Sequence, residues 1–585
     1  MTFPPPISAA TPQDFFRPGV DEGLWLLRPE SMEPVPFEMT DIPWLSLASD
    51  HRIRLLNDSL MRTYSNNGSS LLFPSVLAYA QDVTVSQTYM AIGGKYLLSA
   101  AGGRRIRSSF IQTRDDAVKG NKDLALARHL EDGARKARPL TIWDGPDPRD
   151  LDFVIDTRNF HNFYHFTKES LPLLTLYAQY GLRGRIVFYA NNENISDFVH
   201  QSIEAWFPEL RERIVLTGSN KQKRGYNAKA ALIAYDTTSY YFQTTNRLMR
   251  DVNKLGVKID RRAKLSNARD LAKITVEAPL AALRARALQR VDHGQVPKLR
   301  LYVQRRAARN RAVVNESLLT DILSRHGFHM IAFEDSIVPE QAAIVANCEA
   351  LVSIHGAGVT NMLYAPSGAK IFELSNTQTI NGRFGDFSPI ANAAAVTYAH
   401  IYLDHDHPDP SYVPSIANDS HRGVRFTPFS ASATAAYIFA MLDKQDALDA
   451  HKVCETANSE GNYDLLVQLL DQHQDIMAHT ADYHVWRANI ASQQHNRPEV
   501  LRNLIHALML APRRIMLLKR ILPIAAELSD TSTFDFAAQQ MHRIDEALFI
   551  DFFKKNDWAH PDSITIKVEE APDEDDALPD MGGRD

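Results

Sequence analysis

The sequence predicts an α/β protein: two sheet-and-helix units in series, facing one another across a cleft, and an all-α region after them. Two blocks in which apolar strand runs alternate with helical runs predict the units, and a change to unbroken helical patterning near residue 432 predicts the rest. Residues 1–36 are proline-rich and short of periodic apolar positions, so an extended or disordered leader is expected there. Residues 37–290 read as the first α/β domain. In it "VLAYAQDVTV" and "YMAIGGKYLLSA" are strands and hairpins, "RPLTIWDG" and "LDFVID" lead into a histidine-rich segment, and "LPLLTLYAQY", "RIVFYA", "ISDFVHQSIEAWF" and "RIVLTG" alternate helix with strand.

A charged helical stretch from Pro279 to Arg290 precedes the second domain, residues 291–431. Its strands are "LRLYVQ", "FHMIAF", "ALVSIHGAG", "AKIFEL" and "AVTYAHIYL", with helices between them; Asn315 is the expected cap of one helix and Gly327 its stop. Residues 432–560 are expected to be helical. A shift of 34 residues sets Cys454 over Ala488, Asn462 over Asn496, Leu466 over Val500 and Leu470 over Leu504, with Ala507 and Pro512 in the spacing of tetratricopeptide repeats. His484 and Arg487 fall where such a repeat prefers apolar residues, so a non-repeating helical cap is the alternative. The acidic residues 561–585 read as a disordered tail.

The chain has 585 residues, 44% hydrophobic and 23% charged, with a formal net charge of -6, an ordinary globular composition that offers no basic excess to a nucleic-acid backbone. No nucleic-acid partner is expected. Two cysteines in different domains, Cys348 and Cys454, cannot build a disulfide framework or a cysteine zinc site. Without an opening basic-then-apolar segment or an apolar run of about 18 residues, the protein is expected in the cytoplasm.

The most informative stretch is "ALVSIHGAGVTNMLYAPSGAKIFEL". A buried strand leads to His355, the chain turns through Gly356, Ala357 and Gly358, and a helix begins, which aims unpaired N–H groups at whatever sits above the strand. Ligands of open α/β sheets bind outside the carboxyl ends of the strands, so His355 and Glu373, at the end of the next strand, are expected to share one crevice. Glu373 could accept two ribose hydroxyls, and His355 and Asn361 could donate to phosphate or sugar oxygens. That set reads as a nucleotide-diphosphate pocket.

Three motifs in order, "YHFTKESLP", "LYVQRRAARNRAVVNE" and the His355 segment, resemble glycosyltransferase family 61, which includes bacterial capsular-polysaccharide enzymes, plant xylan arabinosyl- and xylosyltransferases, and animal O-linked N-acetylglucosamine transferases. Together they span residues 159–374. Gln304 stands where the family usually has Ser, and Leu173 where an Arg commonly follows the Leu-Pro pair. The resemblance implies a GT-B-type pair of facing Rossmann-like domains. It also implies an inverting glycosyltransferase that takes a nucleotide-diphosphate sugar, foremost a UDP-sugar, and a glycan or lipid-linked glycan acceptor in capsule or other bacterial cell-surface polysaccharide synthesis. Such an enzyme could sit peripherally at the inner face of the membrane. A non-catalytic scaffold whose helical domain binds a protein partner is the alternative.

Among Arg305, Arg306, Arg309 and Arg311, the resemblance selects Arg305 as a diphosphate ligand, with Arg311 beside it; a guanidinium suits phosphate bidentately. Asn315 and Glu316 are equally explained as capping residues. In "RNFHNFYHFTKESLP", His161, His165 and Glu169 recur every four residues. A metal site there would need one continuous helix, which Pro172 disturbs; packed core histidines are the plain alternative. The resemblance makes His165 and Glu169 a catalytic pair, one taking the acceptor proton or orienting the other. "LDHDHPDP", with Asp404, His405, Asp406 and His407, imitates a metal-binding Asp-x-Asp, but its prolines favour a turn. No metal or other cofactor is expected.

Overall fold

The computed structural model describes residues 3–27, 35–38, 42–65, 69–86, 89–113, 115–157, 161–189, 195–217, 225–236, 276–291, 298–306, 311–415 and 419–558. Arg309 and the acidic tail lie outside them. The first unit is an eight-stranded sheet. Ile214–Thr217, Ile186–Tyr189 and Phe153–Asp156 run parallel and join Tyr226–Asp236. Antiparallel Ser75–Ser86, Tyr89–Ile92 and Lys95–Leu97 continue the sheet, and Leu24–Leu26 pairs along Ser75–Ser86. Phe15 and Phe16, fully buried, pin the expected leader to this unit, Phe15 against the rings of Tyr96 and Phe110. Apolar side chains thus override the proline-rich composition.

The second unit is a six-stranded, wholly parallel sheet: Phe328–Ile331, Leu299–Val303, Cys348–Ile354, Lys370–Ser375, Thr397–Tyr402 and Trp44–Ser46. Its first five strands are the five read from the sequence, since strands buried on both faces carry continuous apolar runs. In chain order they lie second, first, third, fourth, fifth. The connections therefore diverge between Leu299–Val303 and Cys348–Ile354, which opens a crevice above their carboxyl ends. The sixth strand comes from residues 44–46, which the sequence assigns to the N-terminal side. Helix His51–Ser65 follows it onto the same unit, where Met61 packs with Ile380, Phe384 and Tyr402.

One apolar core runs between the sheets, with Phe153, Ile155 and Phe188 from the first, Leu301, Leu351 and Ile371 from the second, and Leu280 and Leu283 of helix Ala278–Arg290 among them. Trp206 meets Tyr364 at 5.5 Å, and Gln201 accepts from the Val338 amide at 3.1 Å. The structure is a mixed α/β assembly with a helical C-terminal region.

That region contains three helical hairpins, Lys444–Ser459 with Tyr463–Gln472, Ala481–Gln493 with Arg497–Leu510, and Ile515–Glu527 with Thr531–Ile544. Each second helix starts at a capping side chain, Asn462, Asn496 or Asp530, preceded by a left-handed residue, Gly461, His495 or Ser529. These positions recur every 34 residues. Arg487 is tolerated because it spans Tyr483 and Asp471. His484 is tolerated because it bonds the Ala478 carbonyl and packs against the rings of Phe429 and His506.

Phe429 and Tyr437 belong to helix Pro428–Leu442, which packs on the second sheet. Burial pushes His484 and, beside Tyr437, His479 down to about 4. In the unfolded chain each titrates near 6.5, so between about 4 and 6.5 the unfolded state binds more protons. This contribution to stability is complete above 6.5 and lost as pH falls through that window, by about 1.4 kcal/mol per site per unit. We expect a lower melting temperature at pH 5 than at pH 7; a flat profile would contradict this burial.

Candidate active site

The first motif opens with Asn162, whose side chain caps a short turn by accepting from the amides of Tyr164 and His165. His161 precedes the cap and is exposed, so it does not share a helix face with His165. From Phe166 to Ser170 the helix widens into a π turn, a form frequent at functional sites, and Pro172 closes it as a 3₁₀ turn. His165 Nδ1 lies 3.1 Å from Glu169 Oε2, with side-chain exposures of 11% and 12%. The pair is nearly dry yet reachable. Leu173, in place of the family's Arg, is buried in the core between the sheets.

This motif touches the second unit. The Tyr164 hydroxyl donates to the Asp386 carbonyl at 2.6 Å, and Lys168 Nζ donates to that carbonyl and to the Tyr164 hydroxyl. Phe387 packs 4.9 Å from Tyr164 and 5.2 Å from His355. His165 and His355 are thus neighbours of two rings in contact.

Above the carboxyl ends of Cys348–Ile354 and Lys370–Ser375 lies a small crevice lined by Arg311, His355, Ser375, Asn376, Gln378, Thr379, Arg383, His421 and Arg422 among others. Arg311 Nη1 donates to the His355 carbonyl at 3.0 Å. A Cβ on Gly356 would lie 3.2 Å from that nitrogen and 3.9 Å from Arg305 Nη1, so glycine lets both guanidinium groups approach the turn. Burial, then the nearby charges of Arg383 and Arg305, pushes Arg311 down to about 10. The same crowding, after burial, drives His421 down to about 3. These groups disfavour each other's charge, and an anion among them would relieve that.

Of the residues singled out in the sequence, His355 and Arg311 line this crevice, and Arg305 approaches the adjoining Gly356 turn. Others are placed elsewhere. Gly358 provides close packing, since a Cβ there would touch Phe333 and Val303. Asn361 is buried and donates to Gln341, 3.0 Å away. Glu373, 2% exposed, uses one oxygen for His355 and the other for the Tyr398 hydroxyl, so neither is offered to a ribose. Arg306 pairs with Asp335. Asn315 adopts a left-handed conformation and donates to the Phe426 carbonyl, while Glu316, at the helix start, accepts from Tyr302. Asp404, Asp406 and His405 bind the Ser49 amide, the Gly423 amide and the Tyr412 carbonyl respectively, in separate directions. Among the described residues no three histidine, cysteine, aspartate or glutamate side chains converge as an ion site.

The sequence did not point to Arg383, His421 or Arg422. Arg383 is fixed by Asp386 at 2.6 Å. His421 and Arg422 sit on a loop clasped from below: Asn376 donates to the carbonyls of Arg422 and Gly423, and Gln378 bonds the Ser420 carbonyl and the Arg422 amide. "ELSNTQ", polar residues straight after a buried strand, was the available signal. The loop also requires Gly423, where a Cβ would collide with the Ala312 backbone. We expect Gly423→Ala to cost about 1–3 kcal/mol of stability and to weaken anion binding; thermal melts with and without pyrophosphate check both.

Residues 163–372 match the family described as Glycosyltransferase 61. The chain is also similar to the EGF domain-specific O-linked N-acetylglucosamine transferase of Drosophila melanogaster, 33% identical over 87 residues. That similarity covers 14% of this chain and 17% of the relative's length. No helix among the described residues is long and apolar enough to cross a membrane. The matched span of the glycosyltransferase 61 model contains the His165–Glu169 pair, Arg305, Arg311 and the His355 turn.

Proposed function

We propose that this chain is an inverting glycosyltransferase that draws a sugar from a nucleotide-diphosphate donor, a UDP-sugar foremost, and passes it to a glycan or lipid-linked glycan of a bacterial surface polysaccharide. The observation that carries the proposal is the arginine-lined crevice above the ends of Cys348–Ile354 and Lys370–Ser375, where Arg311, Arg383 and Arg422 stand around His355. Guanidinium groups and turn amides suit a diphosphate and stabilise it as it departs. Across Phe387, His165 and Glu169 supply a base for the acceptor hydroxyl; a single displacement by that hydroxyl inverts the anomeric carbon. No metal enters this scheme, because the positive charge comes from side chains. Two buried free thiols fit a reducing, cytoplasmic setting.

The helical hairpins favour a second reading, in which the chain is a scaffold that binds a protein partner. Thermal-shift measurements against nucleotides and their sugars separate the two. A nucleotide at a hundred times its dissociation constant adds about 2.7 kcal/mol of stability; no response to any nucleoside diphosphate would favour the scaffold.

A further inference from the structure

Glu373 ends the strand Lys370–Ser375, beside the strand that ends at His355. A buried carboxylate is costly unless it is paired and hydrogen-bonded. Here Oε1 lies 2.9 Å from His355 Nδ1 and 4.0 Å from His400 Nδ1, and the Tyr398 hydroxyl donates to Oε2. Burial pushes Glu373 up, but His355, His400 and Tyr398 outweigh it and leave the carboxyl below its ordinary range. Glu373 therefore stays ionised and can only accept. The proton in the His355–Glu373 hydrogen bond must sit on Nδ1. With Nδ1 committed, Nε2 is the ring atom left for the crevice that His355 lines.

We propose that Glu373, itself held by Tyr398, is a positioning residue that fixes the ring plane of His355 and, as the anionic partner of its Nδ1–H, supports a protonated ring whose Nε2–H donates to the diphosphate of the donor. The proposal rests on the donor reading above. It gives the buried carboxylate a role that its lack of exposure denies it as a sugar ligand. Among the described residues, the other charged or titratable groups around His355 include Arg305, Arg311, Arg383, His421 and Arg422 on the crevice side and Tyr398 and His400 behind, with Asp386 beyond Arg383.

Calorimetric titration of the full chain with pyrophosphate and with UDP, between pH 5.5 and 8.5, tests this. Glu373→Gln keeps the shape but removes the charge. It should weaken both probes about tenfold or more and move the pH profile of binding to lower pH, because His355 loses its ionic partner. Arg422→Ala should lower affinity by one factor at every pH. Tyr398→Phe should act like Glu373→Gln, more weakly. Parent-like affinity and profile in Glu373→Gln would overturn the positioning role and leave the donor reading standing. If the parent binds neither probe, the donor reading fails and this role falls with it. Should Glu373→Gln fail to fold, Tyr398→Phe decides: about threefold weaker binding supports the role, and unchanged binding overturns it.

Discussion

Replacing His165 by Ala or Glu169 by Gln should lower turnover about a hundredfold or more while nucleotide affinity stays within a few-fold of the parent. The separation follows from placement. The pair sits on the first motif, with the rings of Tyr164 and Phe387 between it and the crevice, so neither side chain is among those lining the anion site. A proton moved only in the transition state affects kcat, whereas ground-state donor contacts are untouched. The two changes should also be non-additive, because Nδ1 of one residue bonds a carboxylate oxygen of the other. Steady-state kinetics on the true acceptor, with UDP binding measured in parallel, checks this; full turnover in both variants would return the pair to a packing role.

Arg311→Ala should produce the opposite pattern. Its guanidinium holds the His355 carbonyl and stands within reach of the same turn as Arg305, so its loss loosens the turn and, on the proposed donor reading, removes a phosphate ligand. Charge-assisted hydrogen bonds are worth about 1.5–3 kcal/mol, which corresponds to roughly tenfold to more than a hundredfold weaker donor binding. Arg311→Lys should restore little, because one ammonium cannot serve carbonyl and phosphate with a planar fork. The stability of the empty protein should fall less than the affinity, since burial beside Arg383 and Arg305 already disfavours this cation. Titration with UDP and with pyrophosphate distinguishes loss of a phosphate contact, felt by both, from damage to a nucleoside contact, felt by UDP alone.

The parallel sheet was legible because strands buried on both faces are mostly apolar, as "ALVSI" and "KIFEL" are. Trp44–Ser46 was not. Three residues carry no period, and their partner strand is some 350 residues away. The His355 turn was legible from its glycines, while His421 and Arg422 sit on a loop whose position depends on the Asn376 and Gln378 clasp, and Arg383 ends a short helix. Glu373 was found as a strand-end carboxylate, but its direction is set by Tyr398 on the next strand, a contact no local pattern announces. The 34-residue spacing was visible for two hairpins. The third escaped because Asp530 replaces Asn as the cap, although both side chains satisfy the same orphan amides.

A crystal structure of the full chain with UDP shows whether the crevice above the ends of Cys348–Ile354 and Lys370–Ser375 receives a nucleoside diphosphate. Diphosphate oxygens should lie within hydrogen-bond distance of the Arg311 guanidinium and His355 Nε2, with the Arg383 and Arg422 side chains turned toward them. UDP bound at the helical hairpins, or a crevice that stays free of nucleotide at saturating concentration, would contradict the donor reading.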